Sequence, residues 1–316
     1  MNTTEPEWKS VDDVTPGCDQ FPSVSIIVPV FNAQQTIVEC IAALTKQDYA
    51  GEFEILVVDN ESTDQSHELA AAFSTPVKLL TERRPGASAA RNTGIRDASY
   101  DLIAFIDADC IARPDWLSSL SAVWQQGAGL RLVGGSIVAR EPTNSIGKYI
   151  EFAFDQRASI QDYTPPCIIT ANAIASRADL QTIGMFNETY LRSQDAELSF
   201  RAYFYHQAHF EYCEAAIVEH VNVTRLQGLA HKGWQHGTGA AKVWRDYQKP
   251  LNCSSKDRML NIKPYTTFLK ETGRLLFGRR TSEAQSTDRR HPFYRSVFEV
   301  GKQAGFTWQT LRGTGW

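Results

Sequence analysis

Two carboxylates with one residue between them, Asp107 and Asp109, follow the apolar run Leu102-Ile103-Ala104-Phe105-Ile106. A buried strand that opens onto two acids presents hard oxygen donors at its end. Mg2+ and Mn2+ favour such ligands and commonly keep substrate phosphates beside them. The two side chains meet one cation where the chain turns, or where one acts through water or substrate. Two more apolar runs end in polar residues. VSIIVPV (24–30) leads into Phe31-Asn32, and FEILVV (53–58) leads into Asp59-Asn60-Glu61-Ser62-Thr63-Asp64. One acidic strand end is commonplace, but three polar strand ends in one half of a chain point to a nucleotide diphosphate held through a divalent cation.

The elements that must position these residues alternate. Strands are expected at 24–30, 53–58, 77–80 and 102–106, with helices at 33–50, 66–73 and 86–98 between them. Continuous β-branched runs fit strands buried on both faces of a parallel sheet. The fold class is therefore α/β, a doubly wound, mostly parallel sheet flanked by helices. Ligands of such sheets sit outside the carboxyl ends of the strands, so Asn32, Asp59, Asp107 and Asp109 aim at one crevice. The second half reads as a helix at 114–125, strands within 130–139, 167–176 and 214–221, and helices at 178–183 and 195–205. Beyond Gly228 the pattern is helical, amphipathic and basic.

Composition narrows the class. With 316 residues and 42% hydrophobic content, the chain can bury a sizeable core. No run approaches the roughly 18 apolar residues of a membrane span. Residues 1–22 are polar and acidic, which suits a flexible leader rather than a signal peptide. Cys18, Cys40, Cys110, Cys167, Cys213 and Cys253 are scattered without a CxxC pair. They read as reduced thiols in a cytoplasmic protein. The Asn-x-Ser/Thr sequons read as chance, because Asn60 sits inside an expected ligand loop. From Ser254 onward 12 Lys and Arg stand against 5 Asp and Glu, a basic tail on an acidic body that suits an anionic partner.

The segments SIIVPVFNAQQTI (25–37), ILVVDNESTDQS (55–66), RPGASAARNTGI (84–95), IAFIDADC (103–110), TANAIASR (170–177) and RSQDAELSFR (192–201) together resemble family 2 glycosyltransferases of the GT-A fold. The resemblance runs from about Val24 to His220 in the family's order. It implies a GT-A catalytic domain over 23–228, with a nucleotide-sugar half to about 110 and an acceptor half over 111–228. A basic amphipathic helical region over 229–316 then forms a C-terminal extension. Implied partners are a nucleotide-diphosphate sugar, a UDP-sugar on this reading, and a glycan or lipid-linked hydroxyl acceptor. The implied cofactor is Mn2+ or Mg2+.

Residue by residue, the resemblance makes Pro29, Phe31 and Asn32 the first nucleotide-contacting loop. It makes Asp59 the acceptor for the uracil N3–H, with Ser62 in the same loop. Arg84, Gly86 and Arg91 line the base and diphosphate, Asp107 meets the ribose or sugar, and Asp109 binds metal. His220 stands where a third ligand is expected, or is a capped surface histidine. An inverting transfer needs a base for the acceptor hydroxyl, and Asp195, opening a helix, is the candidate. The preceding residue is usually acidic but here is Gln194, a substrate-side residue. Glu197 is the fallback base, or the i+4 partner of Arg201. Asn172 faces the donor sugar or acceptor, or is a strand amide satisfied by backbone. Trp116 floors the sugar cleft, or is a core tryptophan.

Processive relatives carry a Gln-x-x-Arg-Trp motif and membrane helices, and this sequence has neither, so one transfer per encounter is expected. The segment His231-Lys232-Gly233-Trp234-Gln235-His236-Gly237 lies near that position, with Lys232 or His236 available to close over a diphosphate. Aromatic and aliphatic residues 265–277 and 293–298 lie among basic ones, a pattern that suits either a peripheral contact with the inner membrane face or packing on the catalytic domain. Competing readings are weaker. A nucleotidyltransferase lacks its glycine-rich, lysine-bearing loop, an NAD enzyme lacks GxGxxG after a strand, and no nucleic-acid motif accompanies the basic tail. A catalytically impaired carbohydrate-binding or scaffold protein is the alternative that Gln194 raises.

Overall fold

The computed structural model describes residues 21–141, 143–252, 259, 261–277 and 291–313. Most of the expected leader, Cys18, the sequon at Asn2, Cys253 and the basic residues Arg279, Arg280, Arg289 and Arg290 lie outside them. The strands are β1 Val24–Val30, β2 Phe53–Asp59, β3 Val77–Thr81, β4 Leu102–Ile106, β5 Cys110–Ala112, β6 Arg131–Ala139, β7 Asn172–Ser176 and β8 His209–His220. They form one sheet in the order β3-β2-β1-β4-β7-β6-β8-β5. The helices are α1 Ile37–Leu44, α2 Ser66–Ala71, α3 Ala87–Asp97, α4 Trp116–Gln125, α5 Ser145–Ala153, α6 Gln156–Gln161, α7 Arg177–Ile183, α8 Gln194–His206, α9 Leu226–Asp246, α10 Gln248–Leu251, α11 Lys263–Phe277 and α12 His291–Arg312.

The parallel half is the one its sequence describes. β1 pairs in parallel with β2 and β4, and β2 with β3. Ile26, Val28, Ile55 and Val57 bury one face against Ile37, Cys40, Ile41 and Leu44 of α1. Ile27, Leu56, Val58 and Phe105 bury the other against Ala90, Ile95, Leu180 and Leu198. Each such side chain contributes roughly 1.5–3 kcal/mol when fully buried. The second half is mixed. β7 runs antiparallel to β4 and β6, β6 is parallel to β8, and β8 is antiparallel to β5.

Boundaries shift where side chains capture the backbone. α1 begins at Ile37 and not at Ala33, because Ala33 N–H donates to Ser66 Oγ and Gln34 N–H to Asp64 Oδ2. β7 begins at Asn172 and not at Cys167, because Ile168 N–H donates to Ser199 Oγ and Ile169 N–H to Gln156 Oε1. α5 and α6 were not expected. They open on Asn144 and Asp155, whose side chains accept from the first-turn N–H groups, the usual N-cap arrangement.

α9 and α12 pack backbone to backbone through two Gly-x-x-x-Gly pairs. A Cβ on Gly237 would stand 1.9 Å from the Lys302 carbonyl oxygen, and one on Gly305 2.1 Å from that of Trp234. Gly233 and Gly301 are as tight, each 2.3 Å from a facing carbonyl. Tyr294 and Phe298 of α12 join Ile146, Tyr149, Ile150 and Leu229 in a buried cluster. This stretch therefore packs on the protein body. Around α11, Ile262 and Leu269 remain exposed. No described helix is long and apolar enough to cross a membrane.

Candidate functional site

The ends of β1, β2 and β4 open into a cleft of about 720 Å³ lined by Pro29, Phe31, Asn32, Gly86, Arg91, Asp107, Asp109, Arg192 and Gln194, among others. Its walls are tied together before any ligand arrives. Asn32 takes the left-handed conformation (φ 52°), which asparagine tolerates better than most residues. Its Oδ1 accepts from Thr63 N–H at 2.8 Å, and its N–H donates to Ser62 Oγ at 3.0 Å. Ser62 thus joins the two loops. Asn60 donates to the carbonyls of Glu82 and Arg84 and accepts from Gly86 N–H, all at 2.7 Å, pinning the glycine turn to the end of β2. Gly86 has φ 107°, and a Cβ there would lie 2.7 Å from Leu191 Cδ2. The backbone conformation alone requires glycine.

Asp59 is buried, with His67 Nδ1 3.4 Å from Oδ2. Its Oδ1 has no hydrogen-bond partner. A buried, unpaired carboxylate oxygen is costly and suits an incoming N–H donor.

The chain turns at the acidic pair. Cys110 N–H donates to the Asp107 carbonyl at 3.0 Å, and the chain then enters β5, where Cys110 stands opposite His220. That register sets His220 Nε2 3.5 Å from Asp109 Oδ2, while His220 Nδ1 is buried and unpaired. Asp109 Oδ, His220 and Cys110 Sγ converge within 4.8 Å of one another. Burial and the neighbouring acids push the Cys110 thiol well up, and a sulfur donor suits Mg2+ and Mn2+ less than oxygen does. Asp107 turns instead to Arg91, whose Nη2 donates to Oδ1 at 2.6 Å. Arg91 is almost wholly buried, its guanidinium over the Phe186 ring, and its Nε and Nη1 have no hydrogen-bond partner.

Asp195 stands in the first turn of α8, after Ser193 in the left-handed conformation. Thr170 Oγ1 donates to its Oδ1 at 2.5 Å. Burial pushes its carboxyl above the ordinary carboxylate range, opposed by the Arg91 charge and the Thr170 hydrogen bond and assisted by Asp107. A base raised toward neutrality is better matched to taking a hydroxyl proton. Gln194, the residue before it, lines the cleft.

Three expectations are corrected, those for Asn172, Trp116 and Arg84. Asn172 does not face a ligand. It is sealed in the core, accepting from Trp116 Nε1 and donating to the carbonyls of Ser136 and Ala216, each at 2.8 Å. It fills the β-bulge at Gly135 and Ser136, where a Cβ on Gly135 would lie 2.5 Å from its Nδ2. Trp116 is accordingly a core residue and floors no cleft. Arg84 is occupied outside the cleft by Glu82 and Glu188, an arrangement that holds the Glu82 carboxyl down to about 2. Glu197 is buried between Arg201 and the Tyr247 hydroxyl, so it is the expected i+4 partner of Arg201 and not a fallback base. Arg192 and Thr170 were not singled out from the sequence, although both stand inside the quoted motifs.

Residues 25–184 match the family model for glycosyl transferase family 2. Glycosyltransferase AglE of Haloferax volcanii is 41% identical over 122 residues, 37% of this chain and 40% of that protein. The Escherichia coli protein WfgD, a UDP-Glc:alpha-D-GlcNAc-diphosphoundecaprenol beta-1,3-glucosyltransferase, is 46% identical over 90 residues, 28% of this chain and 35% of its own. The aligned stretch thus spans less than half of either relative. Among solved structures, the mannosyltransferase PcManGT from Pyrobaculum calidifontis, in complex with GDP-Man and Mn2+, superposes with a TM-score of 0.63 at 20% identity. That alignment covers 92% of this chain and 90% of the other, so the GT-A architecture read from the sequence is borne out.

Proposed function

Because the chain belongs to glycosyl transferase family 2, we propose that it moves a single sugar from a UDP-sugar to a hydroxyl acceptor, with inversion, in polysaccharide, glycolipid or cell-envelope glycan synthesis. The observation that carries this reading is one cleft at the strand ends that gathers Arg91, Asp107 and Asp109 with Gln194, the residue before Asp195, and in which Asp107 is paired with Arg91. The bond from the anomeric carbon to the acceptor oxygen forms as that from the same carbon to the diphosphate oxygen breaks. The acceptor proton passes to Asp195, and the electron pair leaves with the diphosphate.

Asp109 and His220 are the residues that would hold a divalent cation. A carboxylate oxygen and an imidazole nitrogen both suit Mn2+, and a carboxylate suits Mg2+. The buried Nδ1 of His220 and the convergence of donors on one point support the fit, as does the Mn2+ in PcManGT. Such an ion supplies positive charge to the departing diphosphate. Asp107, braced by Arg91, is left to orient the ribose or sugar. The unpaired Asp59 oxygen favours a base that offers an N–H, and the UDP-Glc donor of WfgD favours uracil. The lipid-linked acceptor of WfgD supports a similar acceptor here. Exposed Ile262 and Leu269, close in sequence to Lys263 and Lys270, support a peripheral contact at the cytoplasmic face of an anionic membrane.

Calorimetric titration of the purified protein with UDP, GDP, CDP and dTDP, in Mn2+ and in EDTA, tests the reading. Mn2+-dependent preference for UDP is expected. Binding of none of the four by a folded sample would overturn it and favour the scaffold alternative that Gln194 raises.

A further inference from the structure

The segment that opens α8 carries part of the cleft wall and the proposed base together. Leu191, Arg192 and Gln194 line the cleft, and Asp195 follows in the first turn of the helix. Between them Ser193 takes the left-handed conformation (φ 56°, ψ 28°), and its side chain makes no capping hydrogen bond. A non-glycine residue in that conformation is strained and persists where its surroundings hold it, as they do at active sites.

Here the surroundings are the second half of α9. Gly239, Lys242, Val243 and Asp246 recur at helical spacing and share one face. Gly239 meets the loop directly, since a Cβ there would lie 2.2 Å from Ser193 Oγ and 2.9 Å from Arg192 Cβ. One turn on, Lys242 Nζ stands 4.1 Å from the centroid of the Tyr190 ring and donates to Thr189 Oγ1 at 2.8 Å. A further turn on, Asp246 Oδ2 accepts from the Tyr190 hydroxyl at 2.5 Å. Tyr190 is buried, and its carbonyl accepts from Ser88 Oγ of α3, the helix that supplies Arg91, at 3.1 Å. Tyr247, which caps α9, donates its hydroxyl to Glu197 Oε1 at 3.0 Å. Val243 and Tyr247 form a buried cluster with Tyr190, and Ala196 and Phe200 of α8 pack against it. The chain is therefore held by α9 on both sides of Asp195, at Tyr190 before it and at Glu197 after it.

We propose that Asp246 and Tyr247 are positioning residues for Asp195, Asp246 acting through Tyr190 and Tyr247 through Glu197. Neither lines the cleft, and both lie beyond residues 25–184, which the family model covers. A base works only within hydrogen-bond reach of the proton it takes, and a misplacement of about 1 Å can cost roughly 100-fold in rate. The C-terminal extension thereby has a part in the transfer itself. The inference rests on the reading of Asp195 as the base.

The test measures UDP release in Mn2+, with water as the acceptor, from UDP-glucose, UDP-galactose and their N-acetyl forms. It compares wild type with Tyr190→Phe, Asp246→Ala, the two combined, and Asp246→Asn, and follows amide hydrogen exchange over residues 190–198 in the same samples. Loss of a hydrogen bond to a charged group corresponds to roughly a 10- to 100-fold change in an equilibrium. Tyr190→Phe and Asp246→Ala should each speed exchange in that segment by about this factor. Each should lower kcat roughly 10- to 100-fold while the donor KM stays within about twofold of wild type. The combined variant should be no worse than the worse single one, because both remove the same bond. Asp246→Asn still offers Tyr190 an oxygen and should recover most of kcat. The Asp246 side chain is 36% exposed, so its truncation opens no core cavity. Exchange equal to wild type in Asp246→Ala, or faster exchange with kcat unchanged, would overturn the positioning role alone. Near-normal release by Asp195→Asn would overturn the base, and this inference with it. A folded wild type that releases UDP from none of these donors would overturn the UDP-sugar reading and both that rest on it.

Discussion

Thr170 donates its hydroxyl to Asp195 Oδ1 across the junction between β7 and α8. The hydrogen bond holds down a carboxyl that burial holds up, and this balance sets the pH at which the proposed base is free. As a prediction, Asp195→Asn should leave UDP binding intact and lower turnover by about 10²–10⁴. The acid limb of the wild-type pH–rate profile should lie above the usual carboxylate range. Thr170→Val should move it further up, since the lost donor favoured the ionised form. Near-normal transfer by Asp195→Asn would remove this residue as the base.

The same shift has a stability consequence. A carboxyl whose folded pKa exceeds its unfolded value binds more protons when folded. Stability is therefore lost as pH rises from the unfolded pKa through the folded one. At neutral pH the ionised Asp195 works against folding. Asp195→Asn should melt at a temperature equal to or above wild type at pH 7, with the advantage shrinking in acid. Thermal melts at several pH values check the sign.

Asp109 and His220 meet because β5 leaves β4 through a tight turn and pairs at the far edge with β8. Asp109→Ala should abolish the difference between UDP titrations in Mn2+ and in EDTA. His220→Ala should reduce it, while far-ultraviolet circular dichroism stays unchanged. An unaltered Mn2+ response in Asp109→Ala would remove it as a ligand.

How far the sequence carried depended on whether a residue's role was local. β1, β2, β3 and β4 were legible because each is a short apolar run stopped by polar residues, and the cleft follows from parallel strands ending together. Asp107 and Asp109 were legible for the same reason. Asn172 and Trp116 were not, because their hydrogen bond joins residues 56 apart in sequence, and a polar residue in a motif looks alike whether it faces a ligand or a bulge. Arg84 misled similarly, since Glu188 lies 104 residues away. Glu197 was legible, as its main partner is one helical turn on. The glycine pairs of α9 and α12 are visible in the sequence, but not that they face each other.

Those glycines give a prediction about the C-terminal helices. Gly237→Leu places a side chain where the Lys302 carbonyl already stands, so the helices must separate or shift. Overpacking of this kind costs about 1–3 kcal/mol or more, and urea midpoints should fall accordingly. Gly228→Ala, in the same helix, meets only the Val223 side chain at 3.2 Å or beyond. It should be neutral or mildly stabilising.

The proposed membrane contact needs a test that respects this packing. Deleting everything beyond Ser254 would remove α12 and uncover Leu229, Ile146 and Tyr149, creating apolar surface that binds vesicles for the wrong reason. Ile262 and Leu269 are 71% and 70% exposed, so they can be changed without opening the core. The double variant Ile262→Glu with Leu269→Glu should keep its melting temperature and its UDP affinity, surface changes being worth within about 0.5 kcal/mol. Its co-sedimentation with anionic phosphatidylglycerol vesicles should drop, because the apolar anchor is lost and like charge is added near the lipid surface. Equal sedimentation of variant and wild type would remove this face as the contact.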